Sequence, residues 1–270
     1  MNSGAETQIH FRLEAGIGTL TLNRPLARNS ISEAMFRTLL ETLEQCAALD
    51  SLRALVLRAE GPVFCAGGDV QFFQQLLTVS VAERLQLLAN YIGLAHQVIL
   101  ALANVPCPVV ASIRGAAAGY GMSLACTADI IVAESGCLLV PAYGALGTTP
   151  DGGMTHLLPA LIGEKRTLEI LLLNRPVEVE NALAWGLINR VCQTGTLDDT
   201  VEKIAGRIAS GSQGVASRLK GLVRSGQVEV LAGQLEKELA SFLSCAAEPD
   251  FEEGVHAFLE KREPAFVRRP

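Results

Sequence analysis

Large rings are scarce in this chain. Nine Phe, three Tyr and one Trp make up 5% of 270 residues, against 25 glycines. The interior is therefore expected to consist of aliphatic side chains and close backbone contacts. Positive charge is also short, with 22 Lys and Arg against 28 Asp and Glu for a net charge of −6. That argues against nucleic acid or an anionic membrane surface as a partner. Cys46, Cys65, Cys107, Cys126, Cys137, Cys192 and Cys245 form an odd set without a C-x-x-C pair or zinc-finger spacing. They read as small buried apolar groups in a reducing, cytoplasmic protein. The most apolar stretch, 87–105, is interrupted by Asn90, His96, Gln97 and Asn104. A buried helix is expected there rather than a membrane span. The first twelve residues lack a basic start and an apolar run, so no secretory signal is expected.

Common catalytic signatures are missing as well. There is no phosphate loop, no H-E-x-x-H and no G-x-S-x-G. Gly119-Tyr-Gly-Met-Ser-Leu124 looks like a dinucleotide loop only superficially, because Leu124 stands where the third glycine belongs. No metal or redox cofactor is expected.

What is present is an ordered α/β pattern, with 49% hydrophobic and 19% charged residues. Short strands are expected at 8–13, 18–22, 53–58, 109–113 and 130–133, with a helix at 32–49 capped by Ser32. Two strands run into glycine turns that open helices, at Phe64-Cys-Ala-Gly-Gly-Asp69 and at 115–121. From about Thr196 the pattern is helical, with candidates at 197–209, 213–223, 228–243 and 251–262. The expected organisation is a core over 1–195 carrying the site and a helical lobe over 196–270 for oligomerisation and site closure. The Arg268-Arg269 tail reads as a solvated end.

Each glycine turn has two readings. It is either a tight connection, or a helix N-terminus whose free N–H groups bind an oxyanion. Two such donors converging from different turns could hold a thioester oxygen as it becomes an enolate. Asp151, between Pro150 and Gly152-Gly153, is placed to cap the next helix.

Seven segments in order carry a family resemblance. They are Thr21-Leu-Asn-Arg-Pro25, Phe64 to Asp69, Gly115 to Ala125, Ala128-Asp-Ile-Ile131, Leu146-Gly-Thr-Thr-Pro-Asp-Gly-Gly153, Ala182-Leu-Ala-Trp-Gly-Leu187 and Glu253 to Arg262. The chain resembles the crotonase, or enoyl-CoA hydratase/isomerase, superfamily along nearly its whole length. The resemblance implies a crotonase-type spiral of ββα units with a C-terminal helical lobe, in a homotrimer or dimer of trimers. It also implies an acyl-CoA substrate, with CoA arriving as part of the thioester and no separate cofactor.

For individual residues, the resemblance implies that Gly68 and Tyr120 donate the oxyanion N–H groups, with Ala66 and Asp69 in the first donor's loop. The two glutamates of family hydratases fall on Ser123 and Tyr143, neither of which can hold a water between two carboxylates and shuttle its proton. Asp151 matches the aspartate of family isomerases, which implies a double-bond shift by 1,3-proton transfer. Aryl-CoA dehalogenases use that aspartate as a nucleophile with a His and a Trp, and here those positions hold His96 and Tyr143. His96 also reads as an interior histidine of a helix. Arg24, Arg28, Phe258 and Lys261 match positions that meet CoA, and they read equally as a solvated face and a packing helix. Trp185 reads as core packing. Hydration or hydrolysis through Asp151, dehalogenase-like chemistry, and a non-catalytic acyl-CoA binder are the alternatives.

Overall fold

The computed structural model describes residues 8–266. The Arg268-Arg269 tail and the first seven residues lie outside the described residues. An antiparallel hairpin, β1 (Ile9–Glu14) and β2 (Ile17–Leu22), turns at Ala15 and Gly16, both at positive φ. β3 (Ala54–Ala59), β4 (Val109–Ile113), β6 (Ile130–Glu134) and β9 (Arg190–Cys192) extend it in parallel, in the order β1-β2-β3-β4-β6-β9. Every residue of β4 is buried, as expected of a parallel strand covered on both faces, whereas edge strand β1 alternates between buried and open positions. A smaller sheet joins β5 (Ala116–Ala118), β7 (Leu138–Val140) and β8 (Val177–Glu178).

The helix α1 (Glu33–Ala47) starts where the sequence predicts, with the Ser32 hydroxyl accepting from Met35 N at 3.3 Å. It packs against α3 (Val81–Asn104), which buries Leu88, Ile92, Ala95, Val98, Ile99 and Leu102 in the core. By length and composition α3 is apolar enough to cross a membrane, but here much of it is covered by protein. The rest of the helical layer comprises α2 (Val70–Leu76), α4 (Tyr120–Cys126), α5 (Met154–Ile162), α6 (Glu164–Leu172) and α7 (Val179–Trp185).

The C-terminal helices fall close to their expected limits: α8 (Leu197–Ala209), α9 (Gln213–Val223), α10 (Gln227–Ala246) and α11 (Pro249–Glu260). Their packing differs from helix to helix. Leu197, Val201 and Ala205 of α8 cover Val56, Val110 and Val132 on one face of the main sheet. By contrast, α10 lies against α3 and α5, and α11 against the turn at Gly144–Leu146. Two glycines permit that last contact. A Cβ on Gly254 would stand 2.5 Å from the Leu146 carbonyl carbon, and one on Gly147 2.6 Å from the Asp250 oxygen. Arg84 fastens this end of the molecule, reaching from α3 to Glu252 at 2.7 Å.

Candidate active site

Two backbone turns meet at the centre of the molecule. After β3 the chain loops back so that Cys65 pairs with Ala117 of β5 and Gly68 with Ile31. Cys65 N donates to Ala116 O at 3.2 Å, and Ala118 N to Cys65 O at 2.8 Å. A Cβ on Gly67 would lie 3.0 Å from Ala118 O and 3.6 Å from Tyr120 N, so the two turns are in direct contact. Gly121 has the same role at the opposite crossing, where a Cβ would come within 2.6 Å of Cys65 O. The short β5, three alanines between glycines at positive φ, delivers Tyr120 as the first residue of α4.

Among the described residues, neither the Gly68 nor the Tyr120 N–H donates to a protein acceptor. Tyr120 N is one of the orphan donors of a helix start, and Gly68 N lies just before the start of α2. Both residues line one cavity of about 70 Å³, together with Ala66, Tyr143 and Asp151. Its walls are otherwise apolar and unusually aromatic for this chain. All three tyrosines, Tyr91, Tyr120 and Tyr143, line it, with Phe36, Phe73, Phe242 and Phe258. The Tyr120 ring turns into the core, edge-on to Phe36 at 5.0 Å, and its hydroxyl donates to Ala95 O at 2.8 Å.

Asp151 is 7% exposed. Its Oδ1 accepts a short hydrogen bond from the Tyr143 hydroxyl, and its main-chain oxygen accepts from Ser123 Oγ at 2.9 Å. Burial pushes its carboxyl up to about 7; the Tyr143 hydrogen bond opposes this, and the Glu238 charge reinforces it. The capping alternative does not hold. Gly153 occupies the cap position of α5 without a side-chain bond, and the free N–H groups of Gly153 and Thr155 go to Glu238.

The remaining site residues divide into those at the cavity and those behind it. His96, on α3, is 7% exposed and accepts from Gly152 N through Nε2 at 3.4 Å. Burial pulls it down to about 4, so it is a neutral acceptor that steadies the Asp151 loop. Ser123 is fully buried and holds the main chain of Asp151 from behind the cavity. Asp69 caps α2 through Gln71 N at 3.0 Å and pairs with Arg24 at 2.6 Å. Arg24 thereby clamps the Gly68 loop, also donating to Ser30 O at 3.1 Å. Arg28 is exposed, and its carbonyl accepts from Ala66 N at 3.0 Å. Phe258, 51% exposed, lines the cavity, and Lys261 follows it at the exposed end of α11. Trp185 packs against the core with Arg166 over its ring at 5.3 Å. No group of three or more His, Cys, Asp or Glu among the described residues could hold a metal ion.

Two members of this site were not singled out from the sequence. Tyr91, on α3, accepts from Asp69 N at 3.0 Å and donates to Ile31 O, pinning the Gly68 loop from the side. Glu238 is the other. Its signal was its place on the apolar stripe of α10, between Leu235 and Phe242, where a charge has no solvent to face.

The chain matches the enoyl-CoA hydratase/isomerase family over residues 12–269. It is 34% identical over 255 residues to the 1,2-epoxyphenylacetyl-CoA isomerase of Escherichia coli (strain K12), covering 94% of this chain and 96% of that protein. A 4-chlorobenzoyl coenzyme A dehalogenase of Arthrobacter sp. is 29% identical over 261 residues, covering 97% and 94%. The crystal structure of an enoyl-CoA hydratase from Mycobacterium avium subsp. paratuberculosis K-10 superposes with a TM-score of 0.87 at 26% identity, covering 97% and 99%. The expected crotonase fold is thus the fold observed.

Proposed function

The chain belongs to the enoyl-CoA hydratase/isomerase family, and within it we propose that it shifts a double bond in an acyl-CoA by proton transfer through Asp151. One observation carries this reading. A buried carboxyl lines the same cavity as two backbone N–H groups without protein acceptors, while Ser123 and Tyr143 leave no carboxylate pair to activate water.

The thioester oxygen accepts from Gly68 N–H and Tyr120 N–H. As Asp151 removes a carbon-bound proton, negative charge moves onto that oxygen, where the donors are already aligned and need no reorganisation. The carboxylic acid so formed returns the proton to the far end of the conjugated system, restoring the carboxylate and leaving the double bond moved. A carboxyl displaced toward neutral pH suits both halves of this exchange. Tyr143, donating to Oδ1, holds the carboxylate in one orientation while Oδ2 works.

CoA enters with the substrate. Arg28 and Lys261 supply exposed positive charge for its phosphates, and half-exposed Phe258 lines the cavity that receives the acyl group. Arg24, held by Asp69, acts through the loop it braces. The exposed Leu168 and Leu172 of α6, Leu173 just after it, and Val215, Leu219, Leu222 and Val223 of α9 favour self-association, for which the crotonase resemblance implies a homotrimer or a dimer of trimers. The seven unpaired cysteines favour a cytoplasmic location.

Following 2-enoyl- and 3-enoyl-CoA by chromatography coupled to mass spectrometry tests the reaction. A product of changed retention and unchanged mass supports the shift. A gain of one water, release of free CoA, or no product would each replace it with hydration, hydrolysis or simple binding.

A further inference from the structure

Helix α5 is capped from another part of the chain. Gly153 has no side chain to offer, and Asp151 gives its carboxyl to Tyr143. Glu238 of α10 takes over. Its Oε2 accepts from Gly153 N at 2.7 Å, and its Oε1 accepts from Thr155 N at 2.8 Å and from the Thr155 hydroxyl. Gln234, one turn earlier on α10, donates to that hydroxyl at 2.9 Å. Ser241, nearly one turn later, meets Thr149 at 3.1 Å, so the same helix grips the Asp151 segment on both sides. Glu238 is 3% exposed and does not line the cavity.

Both Glu238 oxygens accept, which an amide with its single oxygen would not match, and a carboxylate this deep is costly unless its charge is met. The charge lies in the N-terminal field of α5, two residues beyond Asp151. Resting on the reading of Asp151 as the base, we propose that Glu238 is its positioning residue. It ties down the start of α5 so that the Asp151 carboxyl faces the cavity, and it keeps a second negative charge behind that carboxyl.

The titratable groups around Asp151 leave this role to Glu238. From α3, His96 is neutral and Tyr91 is held protonated by burial. From α4 and the turn after β7, Tyr120 and Tyr143 are also raised well above their ordinary range by burial. Glu238, from α10, pushes the Asp151 carboxyl upward as the smallest of three influences; burial raises Glu238 as well, and its bonds from Thr155 and Gly153 oppose that rise.

The test compares the native protein with Glu238→Gln and Glu238→Ala at full length. Infrared titration of the protonated-carboxyl band, assigned to Asp151 by its loss in Asp151→Asn, needs no substrate. Glu238→Gln removes the charge and keeps one of the two accepting oxygens, so the Asp151 midpoint should fall below the native one. The acid limb of kcat/KM should fall with it. Glu238→Ala also frees the loop, and kcat should drop by about 10- to 100-fold with KM close to native. An Asp151 midpoint unmoved in Glu238→Gln, or native kcat in a folded Glu238→Ala, would overturn the proposal. Should the native protein turn over no acyl-CoA, the base reading fails while the infrared midpoint still decides Glu238.

Discussion

Asp151→Asn should make the protein more stable above neutral pH, by an amount that depends on pH. The native carboxyl is held at about 7 against an ordinary 3.8, chiefly by burial. A raised carboxyl pKa means that the folded protein keeps a proton the unfolded chain has already lost. Stability therefore falls as pH rises from about 4 to about 7 and levels off above it. Each pH unit between 5 and 7 costs about 1.4 kcal/mol, so the native protein should lose about 2 to 3 kcal/mol through this group between pH 5 and pH 8. Asn keeps the oxygen that accepts from Tyr143 and does not titrate. Any constant effect of the amide on packing is common to both pH values and drops out of the comparison. Urea unfolding of both proteins at pH 5 and pH 8 measures the difference. The gain of Asp151→Asn over the native protein should be larger at pH 8 by about 2 to 3 kcal/mol. An equal difference at the two pH values would mean that Asp151 titrates as a solvated carboxylate, and the dry-pocket reasoning would be refuted.

Two further substitutions separate the parts of the site. Gly68→Pro removes one oxyanion N–H and should lower kcat by about 10² to 10³; unchanged turnover in a protein with native circular dichroism would remove Gly68 from the site. Tyr143→Phe removes the hydrogen bond that opposes the rise of Asp151, so the acid limb of kcat/KM should move to higher pH. A pH profile superposable on the native one would show that the phenol is only packing.

Local features of this fold were legible in the residues, and long-range polar partners were not. Ser32 marked the start of α1, and the glycines marked the turns around Gly67 and Gly119, because caps and turns depend on neighbours in sequence. The limits of α8 and α9 followed from apolar spacing. Arg24 read as a CoA contact or a solvated residue, and its pairing with Asp69, 45 residues away, forms only once the loop folds back. The Tyr143–Asp151 contact depends on the turn at Gly144–Leu146 and on α11 pressing against it through Gly147 and Gly254. Glu238 sat in a run of charged residues, Glu236-Lys237-Glu238, that resembles a solvated face. Its position between Leu235 and Phe242 was the clue, and its target 85 residues earlier follows only from how α10 packs.

Deuterium transfer from solvent into an acyl-CoA, followed by mass spectrometry in D₂O, tests Asp151 as the base most directly. The native protein should place deuterium on carbon as the double bond moves, because the carboxyl proton exchanges during the shift. Asp151→Asn should bind the same acyl-CoA with near-native affinity and be slower in both exchange and isomerisation by about 10² to 10⁴. Exchange and turnover at native rates in a folded Asp151→Asn protein, or a covalent acyl adduct on Asp151 of the native protein, would contradict its role as the proton carrier.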